Sequence, residues 1–309
     1  MDKGRELFKI FSLTIRKNLE KLKLDMNKLH EIRLRTDMPL ILKYSGKEYM
    51  IDENGNMREK TDKPYIIRQN DMRETMEYIS NYSLYAFEEE IKQGFLTITG
   101  GHRVGITGKT ITENGNIKSV RYISSANIRV SHEIKGCSKE ALQYIRNASG
   151  IYNTLIISPP GCGKTTLLRD LIRNISNGWD NVPGRTVGVV DERSEIAACY
   201  MGIPQNDVGI RTDVLDCCPK ETGMLMLIRS MAPDVIAVDE IGGEGEIDSI
   251  RYAMNCGCKM LATVHGTSFE EIEEKNEDIF ERYIILDKSK GIGTIKAVYD
   301  CKGEIKQQC

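Results

Sequence analysis

One stretch of thirteen residues, Thr154 to Thr166, restricts the possible folds of this chain more than anything else in it. It reads Thr-Leu-Ile-Ile-Ser-Pro-Pro-Gly-Cys-Gly-Lys-Thr-Thr and runs on into Leu167-Leu168-Arg169. An apolar run of strand length enters a Pro/Gly loop, and Gly-Lys-Thr then opens a helical pattern. That strand–loop–helix order is the context in which G-x-x-x-x-G-K-[ST] reads as a phosphate-binding loop. Backbone amides of the loop and the N-terminus of the helix wrap a phosphate. The contact set expected for a nucleotide is therefore Pro160, Gly161, Cys162, Gly163, Lys164, Thr165 and Thr166. Lys164 brings a charge to the β- and γ-phosphates, and the Thr165 hydroxyl is a Mg²⁺ ligand. The first glycine of the pattern is Ser158 here, at a position that only has to start the turn.

A second motif, Pro233-Asp-Val-Ile-Ala-Val-Asp-Glu240, places four apolar residues before two adjacent carboxylates. In a parallel sheet, ligands bind at the carboxyl ends of the strands. Asp239 is expected to hold the metal and Glu240 to orient and deprotonate the attacking water. Two more apolar runs end in polar groups: Val189-Val190 in Asp191-Glu192-Arg193-Ser194-Glu195, and Ala262-Thr263-Val264 in His265. Four strand ends then converge on one reaction face.

The rest of the chain divides at a change of pattern near Gly136. Residues 137–309 alternate short, wholly apolar runs with helical stretches, which fits parallel strands covered on both faces. A final hairpin is expected around Lys290-Gly291-Ile292-Gly293. Residues 1–136 read as an α+β domain, with one helix over 7–24, a second over 70–90 and short hairpin strands marked by Ser45-Gly46 and Gly100-Gly101. The stripe of the first helix is expected to dock on its own domain, not on a membrane. The net charge of −2 hides an asymmetry: about +5 on residues 1–136 and about −7 on residues 137–309. A basic, phosphate-facing domain beside an acidic, metal-binding one is the reading this suggests. Nine cysteines at irregular spacing fit small buried thiols in a reducing compartment. Neither a signal peptide nor a run of membrane-spanning length is evident, so a cytoplasmic protein is expected.

The phosphate loop, acidic box, Walker-B-like strand and histidine box together resemble the secretion-type ATPases of type II and type IV secretion and pilus systems. More closely, Gly161-Cys-Gly-Lys-Thr-Thr-Leu-Leu-Arg-Asp, Val190-Asp-Glu-Arg-Ser-Glu-Ile-Ala, Pro204-Gln-Asn-Asp-Val-Gly-Ile-Arg and Met224–Ile241 resemble the stage III sporulation protein AA family. So do Glu31-Ile-Arg-Leu-Arg and Gly100-Gly-His-Arg-Val-Gly. The resemblance implies an α+β N-terminal domain followed by an α/β P-loop ATPase domain of the RecA-like or AAA-like kind. It implies ATP and Mg²⁺ as cofactors, Glu240 as the catalytic glutamate, Glu192 and Glu195 as acidic-box support, and His265 as the histidine box. Basic residues of the N-terminal domain or of a neighbouring subunit complete such sites, and Arg103, Arg129 and Arg211 are the candidates. It further implies a homo-hexameric motor, held at the membrane by the proteins of a sporulation channel complex between mother cell and forespore.

Two other classes compete. A nucleic-acid-dependent RecA-like ATPase calls for a basic, aromatic-bearing surface on the ATPase half, whereas that half is acidic and holds the one tryptophan, Trp179. Direct nucleic-acid binding is therefore not expected. A nucleotide-sensing scaffold with little turnover would not need the full set Lys164, Asp239 and Glu240.

Overall fold

The computed structural model describes residues 3–83, 87–92, 94–113, 115–147, 150–269, 272, 279–300, 303 and 305–308. The chain divides into two units, Met1–His132 and Glu133–Cys309.

In the first unit, helices α1 (Lys3–Phe8) and α2 (Leu13–Lys21) precede strands β1 (Leu29–Arg35), β2 (Ile41–Tyr44), β3 (Lys47–Ile51) and β4 (Met57–Arg58). Helices α3 (Gln69–Ile79) and α4 (Glu88–Lys92) follow, then β5 (Phe95–Ile98), β6 (His102–Glu113) and β7 (Asn116–Arg129). The strands form one antiparallel sheet in the order β4-β3-β2-β1-β7-β6-β5. Between β2 and β3, Ser45 and Gly46 take φ of +49° and +79°. Positive φ at both turn residues is what a two-residue hairpin needs to match the strand twist. Alternation sends Ile32, Leu34, Val104, Ile106 and Ile128 into the core. Arg33, Arg35, Arg103 and Arg129 occupy the intervening positions, and Arg103 stands opposite Arg129 in register.

Two expectations for this unit change. The stripe over 7–24 is buried through Leu7, Phe8, Phe11, Ile15 and Leu19, but it belongs to two helices. Ser12 caps α2 by accepting from Ile15 N at 3.4 Å, donates from Oγ to Asp71 Oδ1 at 2.8 Å, and donates from N to Thr75 Oγ1 at 3.1 Å. These long-range bonds to α3 break the helix where local periodicity alone carries it on. The helix over 70–90 stops at Ile79, after which Asn81 and Tyr82 are left-handed (φ +47° and +63°); its stretch 84–86 lies outside the described residues.

In the second unit, α5 (Lys139–Ile145) and the short pair β8 (Arg146–Asn147) and β9 (Gly150–Ile151) lead into β10 (Thr154–Ser158) and α6 (Lys164–Asn177). A second short pair, β11 (Gly178–Trp179) and β12 (Val182–Pro183), precedes β13 (Val187–Asp191), β14 (Thr212–Asp216), α7 (Lys220–Met231) and β15 (Val235–Val238). The unit continues with α8 (Glu244–Asn255), β16 (Lys259–His265), β17 (Arg282–Asp287), β18 (Thr294–Asp300) and β19 (Ile305–Gln308). The main sheet runs β14-β13-β15-β16-β10-β17-β18-β19, parallel through β17 and antiparallel in its last two strands. Successive residues of β10 serve opposite layers. Ile156 joins a core with α5 and α6, whereas Leu155 and Ile157 join one with α7 and α8. That is why these runs are apolar throughout. Among the described cysteines, Cys162, Cys199 and Cys258 are buried while Cys137, Cys217 and Cys256 are exposed, so burial does not account for the thiols as a set. Among the described residues no helix is long and apolar enough to cross a membrane.

Phe11 is fully buried between the two N-terminal helices, and Leu13, two residues on, is 56% exposed. Phe11→Ala is expected to lower unfolding free energy by about 3–5 kcal/mol, and Leu13→Ala by less than about 0.5 kcal/mol, in urea titrations.

Candidate functional site

β13, β15, β16 and β10 are consecutive neighbours in the sheet, so their C-terminal ends form one row. The row presents Asp191, the Asp239–Glu240 pair, His265 and Ser158. Each was singled out in the sequence, and strand order is what brings them together.

At the Ser158 end the chain turns through Pro159 and Pro160 to Gly161 (φ +71°) and Gly163 (φ +91°). Gly163 is the left-handed N-cap of α6, a conformation that disfavours any side chain. Lys164 opens the helix and is 5% exposed. Its Nζ donates to Ser158 O at 3.3 Å and to His265 Nδ1 at 2.9 Å. Burial holds the Lys164 pKa below the ordinary lysine range, against the opposing pull of Glu240 and Asp239. The loop thus stores a desolvated cation, which an incoming polyanion would satisfy.

Thr165 Oγ1 donates to Asp239 Oδ2 at 2.6 Å, and Thr263 Oγ1 donates to Asp239 Oδ1. A hydroxyl and a carboxylate meeting at the mouth of the loop are hard oxygen donors of the kind Mg²⁺ takes. Glu240 follows with φ +55°, and its N donates to Thr263 Oγ1 at 2.9 Å. A non-glycine residue held left-handed where a strand ends costs about 1–3 kcal/mol and turns its side chain away from the strand's alternation. The Glu240 carboxylate receives His265 Nε2 at 2.9 Å and Arg193 Nη1 at 2.6 Å. With Nδ1 accepting from Lys164, the proton of a neutral His265 sits on Nε2 and points at Glu240. Lys164, His265, Glu240 and Arg193 form one hydrogen-bonded chain.

The acidic box is built by Asp191, which is 2% exposed. Its two oxygens accept from Glu195 N and Ala197 N, both at 2.8 Å. Burial raises its pKa, with those backbone donors opposing. Arg169, one turn into α6, clamps the same loop from below by donating Nε to Ile196 O at 2.5 Å and Nη2 to Glu195 O at 2.6 Å. Glu192 accepts from Lys220 Nζ at 2.7 Å, and the same Nζ reaches Glu246 Oε1 at 3.1 Å. Glu192, Glu195, Asp239 and Glu240 line one small cleft with Arg193 and Lys220.

Arg211 lies away from this row in its own unit. It precedes β14, whose first residue Thr212 pairs with Val187 at the start of β13, so it sits at the opposite edge of the sheet. Its Nη1 donates to Ser176 O at 2.8 Å and its N to Ser176 Oγ at 2.7 Å. Ser176 is at the far end of the fourteen-residue α6, about 18 Å along the helix from Lys164 at 1.5 Å per residue. The guanidinium serves to anchor that helix end. Arg103 and Arg129 lie in the first unit, Arg103 with its guanidinium 4.1 Å from the Phe95 ring centroid. Sequence reasoning missed Arg193, Lys220, Thr263 and Arg169. Arg193, Thr263 and Arg169 lie inside runs already singled out, whereas nothing near Lys220 in the sequence marks it.

Comparison with known proteins decides the family: residues 1–306 match the one described as sporulation stage III, protein AA. The chain belongs to that family. Stage III sporulation protein AA of Bacillus subtilis (strain 168) is 41% identical over 284 residues, 90% of this chain and 88% of that one. The uncharacterized protein ycf45 of Porphyra purpurea is 31% identical over 157 residues, 48% of this chain and 27% of that one. Among solved structures, the pilus retraction motor PilT with bound ADP aligns at TM-score 0.58 and 15% identity, covering 88% of this chain and 76% of that one. The Legionella pneumophila ATPase DotB aligns at TM-score 0.55 and 14% identity, covering 88% and 75%. The sporulation stage III, protein AA chain therefore shares the fold of secretion and pilus ATPases.

Lys220 is 8% exposed and holds two carboxylates, and despite burial its bonds to Glu192 and Glu246 raise its pKa above the usual 10.5. A raised folded-state pKa stabilises below the unfolded value and the contribution is lost as pH climbs through the folded one. Lys220→Met is expected to cost about 2–3 kcal/mol at pH 7, less than a fully buried pair because the Glu192 side chain is 38% exposed. The gap from wild type should close above pH 10.5 in chemical unfolding followed across pH.

Proposed function

We propose that this chain is a Mg²⁺-dependent ATPase that drives a secretion-like channel complex during endospore formation. The observation that carries the reading is the meeting of three groups at one sheet edge: the Lys164 loop, the Thr165–Asp239 contact and the Glu240 carboxylate. The loop and Lys164 would hold the phosphates, and Thr165 with Asp239 would hold Mg²⁺, which when bound spreads the charge of the phosphate chain. Glu240 is the group to orient a water and accept its proton, and His265 fixes the Glu240 carboxylate while linking it to Lys164. Glu192 and Glu195 act from the acidic box, Glu192 through its pair with Lys220. Asp191 shapes that box and is itself spent on backbone amides.

Arg103 and Arg129 are proposed to meet the phosphates from a neighbouring subunit, in a homo-hexamer assembled at the cytoplasmic face of the membrane. Membrane proteins of the sporulation channel are the proposed partners. The family and its fold-level likeness to the pilus retraction motor and the DotB ATPase support a motor over a nucleic-acid enzyme.

One observation favours a slower variant of the same reading. Glu240 is shared between His265 and Arg193 at 2.9 and 2.6 Å, so turnover waits on release of that carboxylate. A chain that binds ATP firmly and hydrolyses it slowly until assembled follows from this. Phosphate release should fall about 100-fold or more in Glu240→Gln while ATP affinity holds within about threefold. Unchanged turnover in that variant would remove Glu240 from its role.

A further inference from the structure

β17 lies beside β10 and runs parallel to it, Ile285 opposite Ile157, so the turn that ends β17 emerges next to the phosphate loop. That turn is the hairpin tip Lys288–Gly293, before β18 returns. A methyl group on Gly161 would stand 3.4 Å from Lys288 Nζ. One on Gly163 would stand 3.3 Å from Ile292 Cγ2 and 3.6 Å from Gly293 Cα. The tip therefore stands over the two glycines of the loop, about one methyl group away from them.

The tip's hydroxyls are turned inward. Ser289 donates from N and Oγ to Asp287 Oδ1 at 3.1 and 2.9 Å, and Thr294 Oγ1 donates to Gly291 O at 2.8 Å. Lys290 is exposed at the far side of the turn's sequence, and two further groups flank the loop glycines. Lys288 is exposed and forms no ion pair among the described residues. Ile292 is 76% exposed although it sits at the N-cap of α6. A large apolar side chain left in water beside a helix N-terminus that gathers phosphate is placed to meet something apolar attached to that phosphate.

The geometry points to the β17–β18 tip as the second wall of the nucleotide site, with Lys288 pairing with the phosphate chain and Ile292 seating the nucleoside. This rests on the ATP-binding reading above and adds to it a recognition mode. The nucleoside would be held by apolar contact with Ile292, which offers its base no donor or acceptor. Nucleotides of different base are then bound alike.

The test is calorimetric titration of the full chain with ATP, GTP and inorganic tripolyphosphate, each with Mg²⁺, for wild type, Lys288→Ala, Ile292→Ser and Lys164→Ala. Wild type should bind ATP and GTP within about threefold of each other, since apolar burial does not read base edges. Lys288→Ala should weaken ATP and tripolyphosphate alike by about tenfold, the loss of one charge-assisted contact. Ile292→Ser should weaken both nucleotides by about fivefold and leave tripolyphosphate unchanged. Both side chains are exposed, so thermal midpoints should match wild type. If Lys164→Ala loses binding while both tip variants equal wild type, the tip has no part in the site and the ATP reading stands. If Ile292→Ser weakens tripolyphosphate as much as ATP, or wild type separates ATP from GTP by more than about tenfold, the nucleoside seat is overturned. If Lys164→Ala binds ATP as wild type does, the ATP reading itself falls.

Discussion

The adjacency of β13, β15, β16 and β10 is the constraint on which the rest of the ATPase-like unit depends. Strands about 4.8 Å apart place four carboxyl ends within about 15 Å, close enough for side chains to touch across neighbours. Their interiors are buried on both faces, so polar residues gather toward the ends, and Thr263 inside β16 is bonded to the Asp239–Glu240 pair. The burial that stabilises the sheet is thus also what gathers the chemistry. Two apolar layers, one with α5 and α6 and one with α7 and α8, hold the row in register.

Along that row, charges are set against burial in pairs. Lys164 is desolvated and leans on His265, which holds Glu240, which in turn holds Arg193. A proton or charge change at one member is felt at the next, because each bond fixes the donor or acceptor role of its neighbour. Lys220 plays the same part between the acidic box and α8 through Glu192 and Glu246. Resting the Glu240 carboxylate on His265 keeps it 2.9 Å from an imidazole nitrogen.

Much of this was legible before any coordinates. The loop, the strand ending in Asp239-Glu240 and the strand ending in His265 are local signals, each carried by a run of apolar residues that stops at a polar one. Arg211 shows where such reading stops: an arginine beside a strand has no sign of which end of the sheet it occupies, and Ser176 holds it at the end away from Lys164. The helix over 7–24 shows another limit. Its apolar stripe is buried as far as Leu19, yet Ser12 breaks it through Asp71 and Thr75, some sixty residues away. The contacts of Lys220 and Arg169 were invisible for the same reason, since their partners come from other elements.

The sequence by itself determined the family, the parallel α/β character of the second half and the residue types at each strand end, because hydrophobic period and loop chemistry are local. Only the tertiary structure decided which ends are neighbours, that Thr165 and Asp239 meet at 2.6 Å, and that the Lys288–Gly293 tip stands over Gly161 and Gly163. Those depend on strand order and crossover path, which arise from packing two layers on one sheet. No window of the chain shorter than the whole unit contains them.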